Sequence, residues 1–260
     1  MQRLNRNGVM LRYEDARAGA PPLLFVHGAL DHTQFAAQLA HFRHAHRVVA
    51  PDLRGYGRSD KPAQEYTIAG FADDLAWLCQ ELELAKPVVV GHSMGGVIAL
   101  DLAARYPDLP AAIVMLDAPM LVPSSVADAL NLAGFLAALR TPGYREAVRG
   151  FFGATFLPTD DPERRAGILD QMANAPQDVA ASAFENTLRY DAAPAATAVV
   201  VPALFIHAVV PTDLDRFRAL CPQLVTGQTV GAGHFHHLEV PEQINAMIDR
   251  FLAIGVPQQD

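Results

Sequence analysis

A single serine stands out in the stretch Val88-Val89-Val90-Gly91-His92-Ser93-Met94-Gly95-Gly96. Three β-branched residues before it read as a buried strand, and "MGGVIALDLAARY" after it reads as a helix. Only a sharp turn joins the two, and it puts Ser93 at its tip. A neutral hydroxyl is a poor nucleophile, so such a serine does chemistry only when a base takes its proton as it attacks. The chain has ten histidines from which a base could come. His41, His44 and His46 in "HFRHAHR" have no carboxylate or cysteine interleaved and read as a solvated helix end rather than a metal site. The two cysteines, Cys79 and Cys221, are too few for a disulfide framework or a zinc site and read as buried free thiols. No metal site is expected.

The elements that must hold Ser93 follow from pattern. "LNRNGVMLRYED" has an Asn-Gly between alternating segments and predicts a hairpin. "PPLLFVHG" and "HRVVAPDL" are short apolar strands. Between them "TQFAAQLAHF" has helical spacing with Thr33 as its cap. "TIAGFADDLAWLCQEL" places Ile68, Phe71, Leu75, Leu78 and Leu82 on one helical face. The strand at 87–90 and helix at 94–106 come next, then a strand at 111–117. Strands at 202–208 and 228–234 close the pattern, followed by a helix with Ile244, Met247, Ile248, Phe251 and Leu252 on one stripe. Strands alternating with helices predict an α/β fold whose mostly parallel sheet is covered on both faces. Residues 120–197 carry helical segments and no strand. We therefore divide the chain into a first core part at 1–119, an inserted helical cap at 120–197 and a second core part at 198–260. A cap inserted there lies over the C-terminal ends of the strands, where open sheets bind ligands.

Composition narrows the partners. A chain of 260 residues, 51% hydrophobic, can bury one large core. Its net charge of −8 argues against nucleic acid or an anionic membrane surface as a partner. The first 20 residues hold no apolar run of signal-peptide length, and no stretch of about 18 apolar residues occurs anywhere. A cytoplasmic protein with a small-molecule partner is the expectation.

With these residues in place, the chain resembles the α/β-hydrolase fold family. Gly91-His92-Ser93-Met94-Gly95 fits the family's G-x-S-x-G nucleophile elbow, set between the strand and helix it requires. "FVHGAL", "PDLRGYGRSD" and "GAGHFHHLEVPEQINAMIDRFL" fall in the family's order. The resemblance implies Ser93 as nucleophile and His234 as general base. It also implies the backbone N–H groups of Ala29 and Met94 as the oxyanion hole. For the triad acid, the family's usual offset after "PALFIHA" falls on Pro211, and the first carboxylate beyond it is Asp213. That residue also starts a helix, where capping explains it fully. Some members carry the acid at the end of the strand after the nucleophile helix, and here that position is Asp117. Asp117 is the first candidate and Asp213 the alternative.

His27 and His92, beside the oxyanion donors, are expected to orient loops. Asp52 and Arg54 are expected to fix a loop as an ion pair or cap. Some of Phe135, Phe151, Phe152 and Met172 should line the pocket. The resemblance implies a cofactor-free serine hydrolase acting on a carboxylic ester, lactone or thioester with an apolar portion. Relatives with a carboxylate nucleophile are set aside by the serine. A hydrolase-like small-molecule receptor, or a lyase, C–C hydrolase or cofactor-free oxygenase on the same fold, is the alternative.

Overall fold

The computed structural model describes residues 1–16 and 19–255. Eight strands form one sheet: β1 (Gln2–Arg6), β2 (Val9–Ala16), β3 (Leu23–Val26), β4 (Val48–Asp52), β5 (Val88–His92), β6 (Ala112–Leu116), β7 (Ala203–His207) and β8 (Leu224–Gln228). Their order across the sheet is β1-β2-β4-β3-β5-β6-β7-β8. β1 and β2 form the hairpin predicted at Asn7-Gly8, and β2 joins β4 antiparallel. From β4 to β8 every pairing is parallel.

The parallel strands are buried on both faces, which is why they read as continuous apolar runs instead of alternating ones. Leu24, Val89, Ile113 and Phe205 face one layer of core, while Leu23, Val88, Val114 and Leu204 face the other. On the first side lie α2 (Ile68–Glu81) and α3 (Met94–Arg105), and on the second α1 (Ala36–Phe42). The predicted face of α2 is buried throughout, and Thr67 caps it by accepting from Gly70 N. Ahead of α1 the chain makes a 3-10 turn over His32–Phe35, capped by Asp31 instead of Thr33: the Asp31 side chain accepts from Thr33 N. A carboxylate two residues earlier reaches the open N–H that Thr33 itself supplies.

After β6 come α4 (Ser124–Ala129), α5 (Leu132–Ala138), α6 (Tyr144–Gly153), α7 (Pro162–Ala173), α8 (Gln177–Leu188) and α9 (Ala192–Ala198). No strand interrupts them, as the sequence led us to expect. Helices α5 to α8 share a separate apolar cluster that also takes in Leu30 and Phe235 from the loops beneath. α9 instead contributes Ala192, Ala195 and Ala196 to the core on the α3 side. The chain then runs through β7, α10 (Leu214–Leu220), β8, the short α11 (His236–Glu239) and α12 (Pro241–Gly255). Helix α12 buries Ile244, Ile248 and Phe251 against the second face.

The last strand lies earlier than its predicted 228–234. Pairing with β7 runs from Ala203↔Leu224 to His207↔Gln228 and ends there, so 229–234 is a loop. Gly231 has φ +77°, and Val230 is 76% exposed, so neither belongs in a ladder. Cys79 and Cys221 are buried free thiols, and burial pushes them up to about 12 and about 11. Among the described residues, no helix is long and apolar enough to cross a membrane.

Candidate active site

The turn after β5 is held open by its glycines. Ser93 sits at φ 55°, ψ −120°, a region L side chains rarely occupy, directly before α3. The turn is so tight that a Cβ on Gly91 would overlap Gly95 O, and one on Gly95 would overlap Val26 O. Both glycines are therefore demanded by close backbone approach. Strain at Ser93 is fixed by Ser93 N donating to Leu116 O on the neighbouring strand at 2.9 Å.

The loop after β3 packs onto this turn. A Cβ on Gly28 would stand 3.1 Å from Ser93 Cβ, which places Ala29 beside the nucleophile turn. His27 orients the loop: its Nε2 accepts from Leu53 N at 2.8 Å, so its proton is on Nδ1, which donates to Gly28 O at 2.7 Å. Met94 is the first residue of α3 and has no residue four positions back in the helix to receive its N–H.

His234 and Asp117 are brought together. His234 Nδ1 lies 2.8 Å from Asp117 Oδ2, with both side chains almost wholly buried. Asp117 directly follows β6 in the left-handed region, φ 42°, and its carboxylate crosses to the loop after β7. There Oδ1 accepts from Ala208 N at 2.7 Å and from Val210 N at 3.2 Å. Burial alone would raise this carboxyl's pKa, but the hydrogen bonds from His234 and Ala208 hold it below the ordinary value. Asp213 takes no part: its side chain caps α10 by accepting from Arg216 N at 3.0 Å, the helix-start role open to it in the sequence.

His92, from the far side of the turn, donates from Nε2 to His234 O at 2.9 Å, and the two rings lie 4.7 Å apart. Burial, with the neighbouring His237, His234 and His236, holds His92 well below the ordinary histidine value. The same burial pushes His236 down to about 4 and His237 well below the ordinary value. His92, His236 and His237 are therefore neutral near pH 7.

Ser93, His234, Ala29 and Met94 line one cavity of about 470 Å3 under the helices. Phe151 and Phe152 line it too. Phe135 and Met172 do not: Phe135 stacks behind Phe151 at 4.0 Å, and Met172 is packed in the helical cluster. Among the described residues, no Asp, Glu, Lys or Arg side chain lines the cavity. Its two threonines turn their hydroxyls to their own helices, Thr155 Oγ1 to Phe152 O and Thr187 Oγ1 to Ala183 O. A larger groove of about 810 Å3, lined by Arg140, Asp178, Glu185 and Arg189, is open surface and includes none of these four residues.

The remaining candidates are structural. Asp52 accepts from His32 N, His32 Nδ1 and Arg58 N, while Arg54 pairs with Asp74. Both fix loops, but not as partners of one another, because the carboxylate of Asp52, the last residue of β4, is taken by His32 and Arg58 N. Asp31, His32 and Asp52 come within 4.8 Å of one another, a spacing a cation could use. Their carboxylate oxygens are instead occupied by N–H and O–H donors, including Gln171 Nε2 on Asp31. Of the three surface histidines, His41 pairs with Asp249 and His46 with Pro21 O. Sequence reasoning missed Asp160, a buried carboxylate in the loop between α6 and α7 that grips the histidine loop. Its only signal was a second aspartate ahead of the Asp161-Pro162 helix start.

Residues 21–161 match the family model described as the alpha/beta hydrolase fold. The chain is 28% identical over 252 residues to the 2-(acetamidomethylene)succinate hydrolase of Mesorhizobium japonicum, covering 91% of this chain and 89% of that one. It is 31% identical over 183 residues to an uncharacterized protein of Mycobacterium tuberculosis. The match there spans about half of that relative's length, 52%. Among solved structures, an esterase from Thermogutta terrifontis superposes with TM-score 0.85 at 27% identity, over 99% of this chain and 100% of that one.

Proposed function

The chain belongs to the alpha/beta hydrolase fold family, a family of hydrolytic enzymes, and from that footing we propose that it is a serine hydrolase cleaving uncharged carboxylic esters through an acyl-enzyme on Ser93. One observation carries this reading: Ser93 and His234 open into the same apolar cavity, while His234 Nδ1 is held by the Asp117 carboxylate at 2.8 Å.

In this mechanism His234 Nε2 takes the Ser93 proton as Oγ attacks the ester carbonyl. Asp117 fixes the tautomer that leaves Nε2 free and stabilises the imidazolium that forms. The backbone N–H groups of Ala29 and Met94 receive the oxyanion, and each such donor is typically worth about 3 kcal/mol in the transition state. The imidazolium returns its proton to the leaving alcohol. A water then attacks the acyl-enzyme by the same route, with His234 again as base. Asp117 is the triad acid in this scheme, and Asp213 has only its cap.

The cavity supports the substrate class. Its volume lies within the range of about 300–1,000 Å3 usual for small-molecule pockets. A carboxylate on the substrate would be buried there with no cation to meet it, at a cost of several kcal/mol. Neutral esters of an apolar acid fit, as do lactones and thioesters of similar size. The Thermogutta structure, described as an esterase, is consistent with this class.

A series of p-nitrophenyl esters of increasing chain length, run with lactones alongside, tests the proposal. We expect Ser93→Ala to lose turnover by several orders of magnitude. Mass spectrometry of the wild type during turnover should show the acyl mass on the peptide carrying Ser93. Full activity in Ser93→Ala would sink the proposal.

A further inference from the structure

The loop that carries His234 is fastened to the helical cover above the sheet. His234 N donates to Thr155 O at 3.0 Å, and Thr159 Oγ1 donates to Gly231 O at 3.0 Å. Gly233 N donates to both oxygens of Asp160, at 3.0 and 3.2 Å. Asp160 is 6% exposed, and its Oδ2 also accepts from Leu157 N at 2.8 Å, so one carboxylate joins the two backbones. The approach is close enough that a Cβ on Gly233 would overlap Thr155 O and Asp160 Oδ2. Phe156 stacks on Phe235 at 5.1 Å just beyond.

His234 is thus held at three points. Its ring is fixed by Asp117 and its carbonyl by His92, while its N–H, together with that of Gly233, is fixed from the cover. We propose that Asp160 is a positioning residue for His234, so that the segment 155–161 of the helical cover belongs to the catalytic apparatus as well as enclosing the substrate. This rests on the reading of His234 as general base. Without the Asp160 carboxylate, the buried N–H groups of Gly233 and Leu157 lose their acceptor. The loop then relaxes toward other partners. A displacement of about 1 Å in a reacting group costs about 100-fold in rate.

The test compares Asp160→Ala, Asp160→Asn and Thr159→Val with wild type and with His234→Ala. Asp160 does not line the cavity, so Asp160→Ala should lower kcat about 100-fold while KM stays within about threefold. Asp160→Asn keeps one oxygen for Gly233 N but not both acceptors, and should recover about tenfold of that loss, leaving kcat about tenfold below wild type. Thr159→Val, which removes a single bond to the same loop, should cost about three- to tenfold. Proton NMR reads the arrangement without turnover. The His234 Nδ1–H shared with Asp117 should give a low-field resonance in wild type that broadens or shifts in Asp160→Ala.

Folded Asp160→Ala with wild-type kcat and an unchanged resonance overturns the proposal. If Asp160→Ala does not fold, wild-type kcat and resonance in both Asp160→Asn and Thr159→Val overturn it equally. If His234→Ala keeps its activity, the hydrolase reading is what fails, and the resonance alone then decides whether Asp160 positions the histidine.

Discussion

Replacing Asp117 by asparagine should cost far more than its small change in shape suggests, and the structure says why. Oδ1 of Asp117 accepts two backbone N–H groups, from Ala208 and Val210, while Oδ2 faces His234 Nδ1. An asparagine has one acceptor oxygen, and the two N–H donors will claim it. Its NH2 group must then point at His234, which can meet a donor only with an unprotonated Nδ1. The imidazole proton moves to Nε2, the nitrogen that has to accept from Ser93. A wrong tautomer of this kind costs about 10⁴ in kcat. That equals roughly 5 kcal/mol at the rate-limiting barrier. Asp213→Asn is the matched control, because asparagine caps a helix as well as aspartate does and kcat should stay within about twofold. Both variants would be assayed with a p-nitrophenyl ester at saturation, with thermal melts to show that each is folded. A folded Asp117→Asn enzyme within tenfold of wild type would refute the reasoning. So would a large loss in Asp213→Asn.

Two further outcomes follow from the same coordinates. Replacing a neutral butyrate ester by the monoester of a dicarboxylic acid should lower kcat/KM by at least about 100-fold, since the cavity offers no cation to a buried carboxylate; equal rates in a steady-state comparison would remove the substrate class proposed above. Stability should also fall on mild acidification. His236 has its folded pKa depressed from 6.5 to about 4, so the unfolded chain binds the extra proton, and its stabilising contribution is complete above 6.5 and lost as pH drops toward 4. At about 1.4 kcal/mol per pH unit, that one residue accounts for roughly 3 kcal/mol by pH 4, of which roughly 2 kcal/mol falls between pH 7 and pH 5. His92 and His237 shift in the same direction and add to the loss. Urea melts at pH 7 and pH 5 measure it, and equal midpoints would contradict the burial of these rings.

Where local pattern decides structure, the sequence is readable. Asn7-Gly8 forces a hairpin whatever surrounds it, with both residues at positive φ. The buried run before Ser93 and the glycines beside it specify a strand, a tight turn and a helix within fifteen residues. Features set by pairing across the molecule do not show in this way. The end of β8 is fixed by where β7 stops, so "QTVGAGH" looks like a strand and is mostly a loop. Asp117 and Asp213 compete equally in one dimension. They separate only when the left-handed turn at Asp117 swings its carboxylate under His234, while Asp213 stays on an exposed helix start. Which phenylalanine meets substrate depends on rotation of α5 against α6, and "FF" at 151–152 carries no mark of it.

The arrangement also divides labour between the two layers in a way the chemistry can use. Among the described residues, Asp117 is the carboxylate bonded to His234, and around it His92, His236 and His237 are kept uncharged by burial. With no charged side chain lining the cavity among the described residues, the imidazolium that the proposed mechanism forms on His234 would have the Asp117 carboxylate as its counter-ion, 2.8 Å away. In the proposed mechanism the oxyanion is met by backbone dipoles, from Ala29 and from Met94 at the start of α3. Such donors are fixed by the sheet edge before substrate arrives, so no reorganisation is needed when charge develops. The proposed base, His234, cannot be held so rigidly by the sheet, because its loop leaves the edge strand β8. Thr155 and Asp160 brace that loop from above. The helical cover can therefore be varied for substrate most freely where it lines the cavity without bonding to the loop at 229–234, on α4, α5 and α8.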